Sequence, residues 1–255
     1  MLPSFQSQDP VSKIGLRLSG LKERVSSLLK QMGRDDSVMI VASSRALMAD
    51  PVMHAAQAGI RHFCEEFLPE GISKKPVVDH RVPGLTWHFC GRIPNQKMKL
   101  AVDNFDWIHS IDKITQLSAL REALGHREKK VSILIEVNPL GVEKRNGANP
   151  SDLEAIITQI QGIPNANFKG LSFKTEHFLT LDKAAEGFKR MQDIFENLKS
   201  NGVLPKEGMH LAMGSSRDYE SAILQGSTMI RQGSSIFGED AYQMMGGNEL
   251  ETFDL

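Results

Sequence analysis

Short apolar runs rich in Val, Ile and Phe alternate along this chain with longer stretches in which apolar residues recur at helical spacing. Such alternation is the signature of βα units around a parallel sheet. The runs that predict strands are Val38–Ser43, Arg61–Cys64, Thr86–Gly91, Trp107–Ile111, Val131–Asn138, Lys169–Phe173, His210–Met213 and Thr228–Ser234. Helical periods fall between them, among others at Pro51–Ala58, Lys113–Leu124, Ser151–Gln161, Asp182–Ser200 and Arg217–Gln225. Ahead of the first strand, Ile14–Met32 carries one apolar stripe of Leu18, Leu21, Val25, Leu28 and Leu29, which predicts an extra N-terminal helix with one buried face. Eight strands with intervening helices favour closure into an α/β TIM (β/α)8-type barrel. An open doubly wound sheet shares the same strand composition and stays the alternative.

The length of 255 residues fits one such domain. The expected division is a helix at about 13–33, a barrel at about 36–238 and a polar, peripheral tail at 239–255 that contains Gly246-Gly247-Asn248. With 30 Lys+Arg against 31 Asp+Glu, the charge balance provides no footprint for nucleic acid or an anionic membrane, so the expected partner is a small molecule or a protein. No basic leader precedes an apolar run, and no stretch is long and apolar enough for a membrane span, so a cytoplasmic protein is expected. Cys64 and Cys90 match neither a zinc knuckle nor a disulfide framework and read as buried thiols. A monomer or weak dimer is the expected state.

The most informative stretch runs Met213-Gly214-Ser215-Ser216-Arg217-Asp218, a helix, and then Gly226 to Gly238. It holds two turns of small residues, each just past one of the last two strands. Barrels often bind phosphate there, because a phosphate dianion needs several backbone N–H groups, hydroxyl donors and a nearby cation. Ser216 offers a hydroxyl, while Gly233 and Ser234 let the backbone approach closely. Taken singly, Ser215 and Ser216 also read as helix N-caps, and Gly226 as a helix C-cap.

Four segments, Trp87–Gly91, Ile135–Asn138, Leu211–Asp218 and Gly226–Gly238, resemble the pyridoxal phosphate homeostasis proteins, the YggS-like family. The likeness runs in order from about Leu21 to Gly238. It implies an alanine-racemase-type barrel that, in this family, carries pyridoxal 5′-phosphate without known catalysis. It further implies that Ser216, Gly233 and Ser234 hold the phosphate and that Arg231 lies near the pyridine nitrogen. A guanidinium does not readily give up its proton, so the ring next to it is a weak electron sink, which suits a carrier.

The first strand departs from that pattern. The family ends it with Val-Ser-Lys-Thr-Lys-Pro, whose first lysine forms an imine with the cofactor aldehyde; here Val41-Ala42-Ser43-Ser44-Arg45-Ala46 stands there, with Ser43 in the lysine's place. A hydroxyl cannot form that imine. Phe63-Cys64-Glu65-Glu66-Phe67 replaces Phe-Gly-Glu-Asn-Tyr, so Glu66 puts a carboxylate where a neutral amide is expected, in need of compensation by Arg45 or another cation. Gln96 and Lys97 follow the third strand, Lys144-Arg145-Asn146-Gly147 has Arg145 in place of a lysine, and Gly170-Leu171-Ser172 is followed by Lys174, a candidate substitute amine.

The expected function is therefore non-catalytic binding of pyridoxal phosphate, non-covalent or lost, with Ser216, Arg231, Gly233, Ser234, Ser43 and Glu66 around the ligand. The alternative is a regulatory or interaction protein that holds another phosphorylated metabolite or inorganic phosphate in the same cup. A racemase or decarboxylase is not expected, since only a short tail follows Gly238 and no second β-rich domain is in view. The eight histidines form no metal-ligand spacing, and His88 reads as a hydrogen-bonded core residue.

Overall fold

The computed structural model describes residues 9–125, 128–143, 145–175 and 180–243. Eight parallel strands close into a barrel in sequence order. They are β1 (Met39–Ser43), β2 (His62–Glu65), β3 (Thr86–Phe89), β4 (Trp107–Ile111), β5 (Val131–Glu136), β6 (Ala166–Phe173), β7 (His210–Met213) and β8 (Met229–Gln232). Closure is made by β1 against β8, from Met39↔Met229 to Ala42↔Gln232. The open sheet is thereby excluded.

Side chains alternate across each strand, and the two faces build separate cores. Val41, Cys64, Cys90, Leu134, Ala212 and Met229 fill the barrel interior. The other face packs Phe63, Trp87, Phe89, Ile108, Ile133 and their neighbours against the surrounding helices. The parity that buries Val41 and Cys64 inside also carries Ser43 and Glu66, two residues further on, to the rim of the mouth.

The N-terminal helix α1 (Pro10–Gln31) starts on Asp9, whose carboxylate accepts the Ser12 amide at 3.1 Å, with Pro10 in the first turn where a missing N–H costs nothing. Its buried stripe is the expected one, from Ile14 through Leu18, Leu21 and Val25 to Leu28 and Leu29. The remaining helices are α2 (Ala49–Gln57), α3 (Leu68–Arg81), α4 (Met98–Asn104), α5 (Leu117–Leu124), α6 (Leu153–Gln161), α7 (Leu181–Ser200), α8 (Tyr219–Leu224), and the short α9 (Ser234–Phe237) and α10 (Asp240–Gln243). Among the described residues, no helix is long and apolar enough to cross a membrane.

Periodicity does not flag α3, because Pro69, Gly71 and Pro76 interrupt its pattern. Gly71 is there for packing: a Cβ would stand 2.8 Å from Phe105 and 2.9 Å from Glu65. Several strand ends differ from expectation: β3 stops at Phe89 and β5 at Glu136, each two residues early, and the bounds of β1, β2, β6 and β8 also shift. β8 stops at Gln232 because Gly233, at φ −105° and ψ −88°, turns the chain into α9. β6 begins at Ala166 and shifts register against β5 between Ile133 and Leu134, close to Gly170 at φ +124°.

Candidate functional site

The mouth at the C-terminal ends of the strands gathers the residues singled out above. On the β7–β8 side, Ser216 Oγ accepts the Gly233 N–H at 2.9 Å and the Ser235 N–H at 3.3 Å, and lies 3.1 Å from Ser235 Oγ. Ser235 in turn donates to Gln232 Oε1 at 2.7 Å. Ser216 therefore ties the loop after β7 to the turn after β8 and is not a helix cap. Asp218 holds the N-cap position of α8 without a capping side-chain bond, because its Oδ1 accepts the Ser215 N–H at 2.6 Å and the Ser215 hydroxyl at 2.8 Å, while Oδ2 accepts from Thr175 at 2.7 Å. Between the tied amides, the N–H and the hydroxyl of Ser234 have no hydrogen-bond partner among the described residues. Gly214, at φ +102°, brings α8 close to β7: a Cβ would lie 2.8 Å from that of Ala222.

Arg231, on β8, reaches across to β6, with Nη1 donating to Ser172 Oγ at 2.9 Å and Nη2 to the Phe173 carbonyl at 2.8 Å. Ser172 pairs with Glu136 in the β5–β6 ladder, so both side chains face the interior. Glu136 makes no side-chain hydrogen bond among the described residues, and burial raises its pKa to about 7, with Lys174, Arg231 and Arg145 pulling the other way.

Ser43 ends β1 beside β8. Its carbonyl accepts the Tyr242 hydroxyl at 2.7 Å, and a Cβ on Gly233 would meet that same hydroxyl at 2.9 Å. Tyr242 of α10 thus stands between Ser43 and the Ser216–Gly233 turn, with burial pushing its phenol well above the ordinary range. Residues 244–255, including Gly246-Gly247-Asn248, lie outside the described residues.

Glu66 carries the compensation that its charge demands. One oxygen pairs with Arg45 Nη1 at 2.9 Å and the other with Lys174 Nζ at 2.7 Å. Burial pushes the Glu66 carboxyl up, but Lys174, Arg45 and Arg231 together outweigh it and hold the group below its usual value, ionised. Behind Ser44, the buried Lys74 ammonium, 4% exposed, binds the Ser44 carbonyl at 2.7 Å, Glu65 at 2.8 Å and Glu70 at 2.7 Å, which fixes where β1 ends. Arg145 lies 4.5 Å from the Phe173 ring centroid and donates to the Lys174 carbonyl. Lys144 falls outside the described residues, and Gln96 and Lys97 sit exposed in a turn.

Below the mouth runs a line of imidazoles that the sequence does not reveal. His62 Nδ1 lies 3.0 Å from His88 Nε2, and His88 Nδ1 lies 2.8 Å from His109 Nε2. Burial, reinforced by its two histidine neighbours, pulls His88 well below its ordinary value, so it is a neutral core residue. The neighbouring Cys90 and burial push the Cys64 thiol well above its ordinary value, which leaves it an unreactive thiol.

With the fold and the mouth defined, comparison places the chain in a class of parallel β/α barrels. It belongs to the family of alanine racemase N-terminal domains, whose model matches residues 16–241, and within it to the pyridoxal phosphate homeostasis proteins. The relative of that name from Pasteurella multocida is 30% identical over 227 residues, spanning 88% of this chain and 97% of its own, and the one from Escherichia coli K12 is 27% identical over 234 residues, spanning 91% of this chain and 99% of its own. Among solved structures, PipY of Synechococcus elongatus with PLP bound is similar at a TM-score of 0.72 and 30% identity, covering 85% of this chain and 99% of that one. Alanine racemase from Corynebacterium glutamicum, at 14% identity and a TM-score of 0.67, shares the fold.

Proposed function

We propose that this chain binds pyridoxal 5′-phosphate reversibly at the barrel mouth and carries it without acting as an enzyme. The observation that carries this reading is the cup at Ser234, whose amide and hydroxyl have no hydrogen-bond partner among the described residues while Ser216 holds Gly233 and Ser235 on either side. Donors left open beside a glycine turn at a helix start suit a phosphate. The relatives' names and the PLP-bound PipY structure support the same ligand.

In this reading Ser216, Gly233 and Ser234 hold the phosphate. Arg231, clamped by Ser172 and the Phe173 carbonyl, faces the ring nitrogen and keeps its own proton. Bound pyridoxal phosphate supplies an aldehyde and an electron-accepting ring; a guanidinium beside the nitrogen leaves that ring a weak electron sink, in keeping with carriage. Ser43 offers only a hydroxyl, so the usual amine of β1 is gone.

A second reading is favoured by Ser43 and Glu66 together: the cup holds another phosphorylated metabolite or inorganic phosphate, and the protein regulates or interacts. Calorimetric titration separates the two. Pyridoxal phosphate is expected to bind at least about a hundredfold more tightly than inorganic phosphate, and equal affinities would overturn the first reading in favour of the second.

A further inference from the structure

β2 and β6 stand half-way around the closed barrel from one another. Glu66 follows the last residue of β2 and Lys174 the last residue of β6, yet Lys174 Nζ lies 2.7 Å from Glu66 Oε1. This ion pair therefore bridges opposite sides of the mouth, and the Lys174 amine lies over the opening, not on its outer wall. Its side chain is 37% exposed, so it is accessible to a ligand entering from solvent.

The backbone that carries this lysine is held from two sides. Arg231 binds the carbonyl of Phe173, the preceding residue, and Arg145 donates to the carbonyl of Lys174 itself. Two other lysines near the strand ends are differently engaged: Lys74 is buried behind β1 with three acceptors around it, and Lys97 is exposed in the turn after β3. Strand alternation puts Ser172 and Lys174 on the interior side together with Glu136, the ladder partner of Ser172.

We propose that Lys174, reaching over the mouth from β6, is the amine that forms a reversible imine with a phosphorylated aldehyde seated in the Ser216–Gly233–Ser234 cup, in place of the amine that Ser43 lacks. The inference rests on the pyridoxal phosphate reading above and deepens it.

The atoms balance with the amine, the aldehyde and protons exchanged with solvent. Lys174, paired with Glu66 and 37% exposed, gives up one proton to solvent at the open mouth. The freed amine pair attacks the aldehyde carbon, and the carbonyl oxygen becomes a hydroxyl. That hydroxyl takes a proton back from solvent and leaves as water, and the C=N bond forms. The nitrogen stays protonated and cationic, so Glu66 keeps the charge partner it has now. This gives a chemical reason for a carboxylate at residue 66, where a neutral amide would leave a protonated imine without a counter-ion.

The test uses the full chain, its Lys174→Arg variant and pyridoxal phosphate as the probe. Arginine preserves the positive charge beside Glu66 but cannot form the imine. Each protein is titrated calorimetrically with pyridoxal phosphate and with inorganic phosphate, then reduced with borohydride in the presence of pyridoxal phosphate and mapped by peptide mass. The expected result is an adduct on Lys174 in the parent chain and none in the variant. The variant should lose about tenfold in affinity for pyridoxal phosphate, with inorganic phosphate binding changed by less than about twofold. Tight binding with no adduct, or with the adduct on another lysine, overturns the Lys174 assignment and leaves the cofactor reading standing. Absence of pyridoxal phosphate binding by the parent chain overturns both.

Discussion

Ser216 Oγ accepts the Gly233 amide proton at 2.9 Å and so joins the loop after β7 to the turn after β8 across 17 positions of sequence. The contact shapes the rim on which the proposed phosphate would rest. Ser216→Ala removes the acceptor and leaves the Gly233 and Ser235 amides without it. Affinity for pyridoxal phosphate is predicted to fall about tenfold, with a loss of about 1 kcal/mol in folding stability. Calorimetry and urea unfolding measure the two effects, and unchanged affinity would deny Ser216 its role.

Glu136 gives the fold a dependence on pH with a definite sign. Its pKa, near 4.5 when unfolded, rises to about 7 in the barrel, so the folded state prefers the protonated carboxyl. The stability that this preference contributes is complete below about 4.5 and is lost as pH rises through about 7. Glu136→Gln, which stays neutral, is predicted to gain stability over the parent at pH 8, with the gain shrinking as pH falls toward 4.5. Urea midpoints of both proteins across that range check it; a pH-independent difference would contradict the burial of the charge.

The histidines act in the opposite direction. His62, His88 and His210 are all held below 6.5, burial being the largest cause in each, so the folded state excludes protons that the unfolded chain accepts. Their contribution is complete above about 6.5 and declines as pH falls below it toward the folded values. His88→Gln is predicted to flatten the acid side of the stability profile while lowering stability at pH 8 by breaking two contacts. An acid limb identical to that of the parent would count against a buried, neutral His88.

Tyr242 anchors the segment after the barrel by its 2.7 Å hydrogen bond to the Ser43 carbonyl. Tyr242→Phe keeps the ring against Phe237 and removes only that bond. A loss of about 1 kcal/mol is expected, or about 2 °C in melting temperature for a domain of this size. A melting temperature equal to that of the parent would mean that the bond adds nothing.

The strands were legible in the sequence because each buries a compact apolar run on its helix-facing side, as in Val131–Glu136, whereas closure is fixed only by the pairing of β1 with β8. Helix α3 was not, because its packing needs Gly71 beside Phe105 and tolerates Pro76, both of which blur helical period. At the mouth, Ser216, Gly233 and Ser234 announce themselves as small residues just past the last two strands. The bridge from Lys174 to Glu66 does not, because only closure of the sheet brings the ends of β2 and β6 to face one another. The imidazole line is hidden for a related reason: His62, His88 and His109 belong to three strands, and only strand register makes them neighbours. Each is an interior-facing histidine on consecutive strands, and that recurrence was the available signal.

The central claim is that a phosphate group rests at the turn after β8. Crystals soaked in pyridoxal phosphate test it most directly through the difference electron density at the mouth. The account predicts a phosphate peak within hydrogen-bond distance of the Ser234 amide and hydroxyl, with ring density beside Arg231. Density for the ligand elsewhere on the molecule, or an empty cup under saturating ligand, would contradict it.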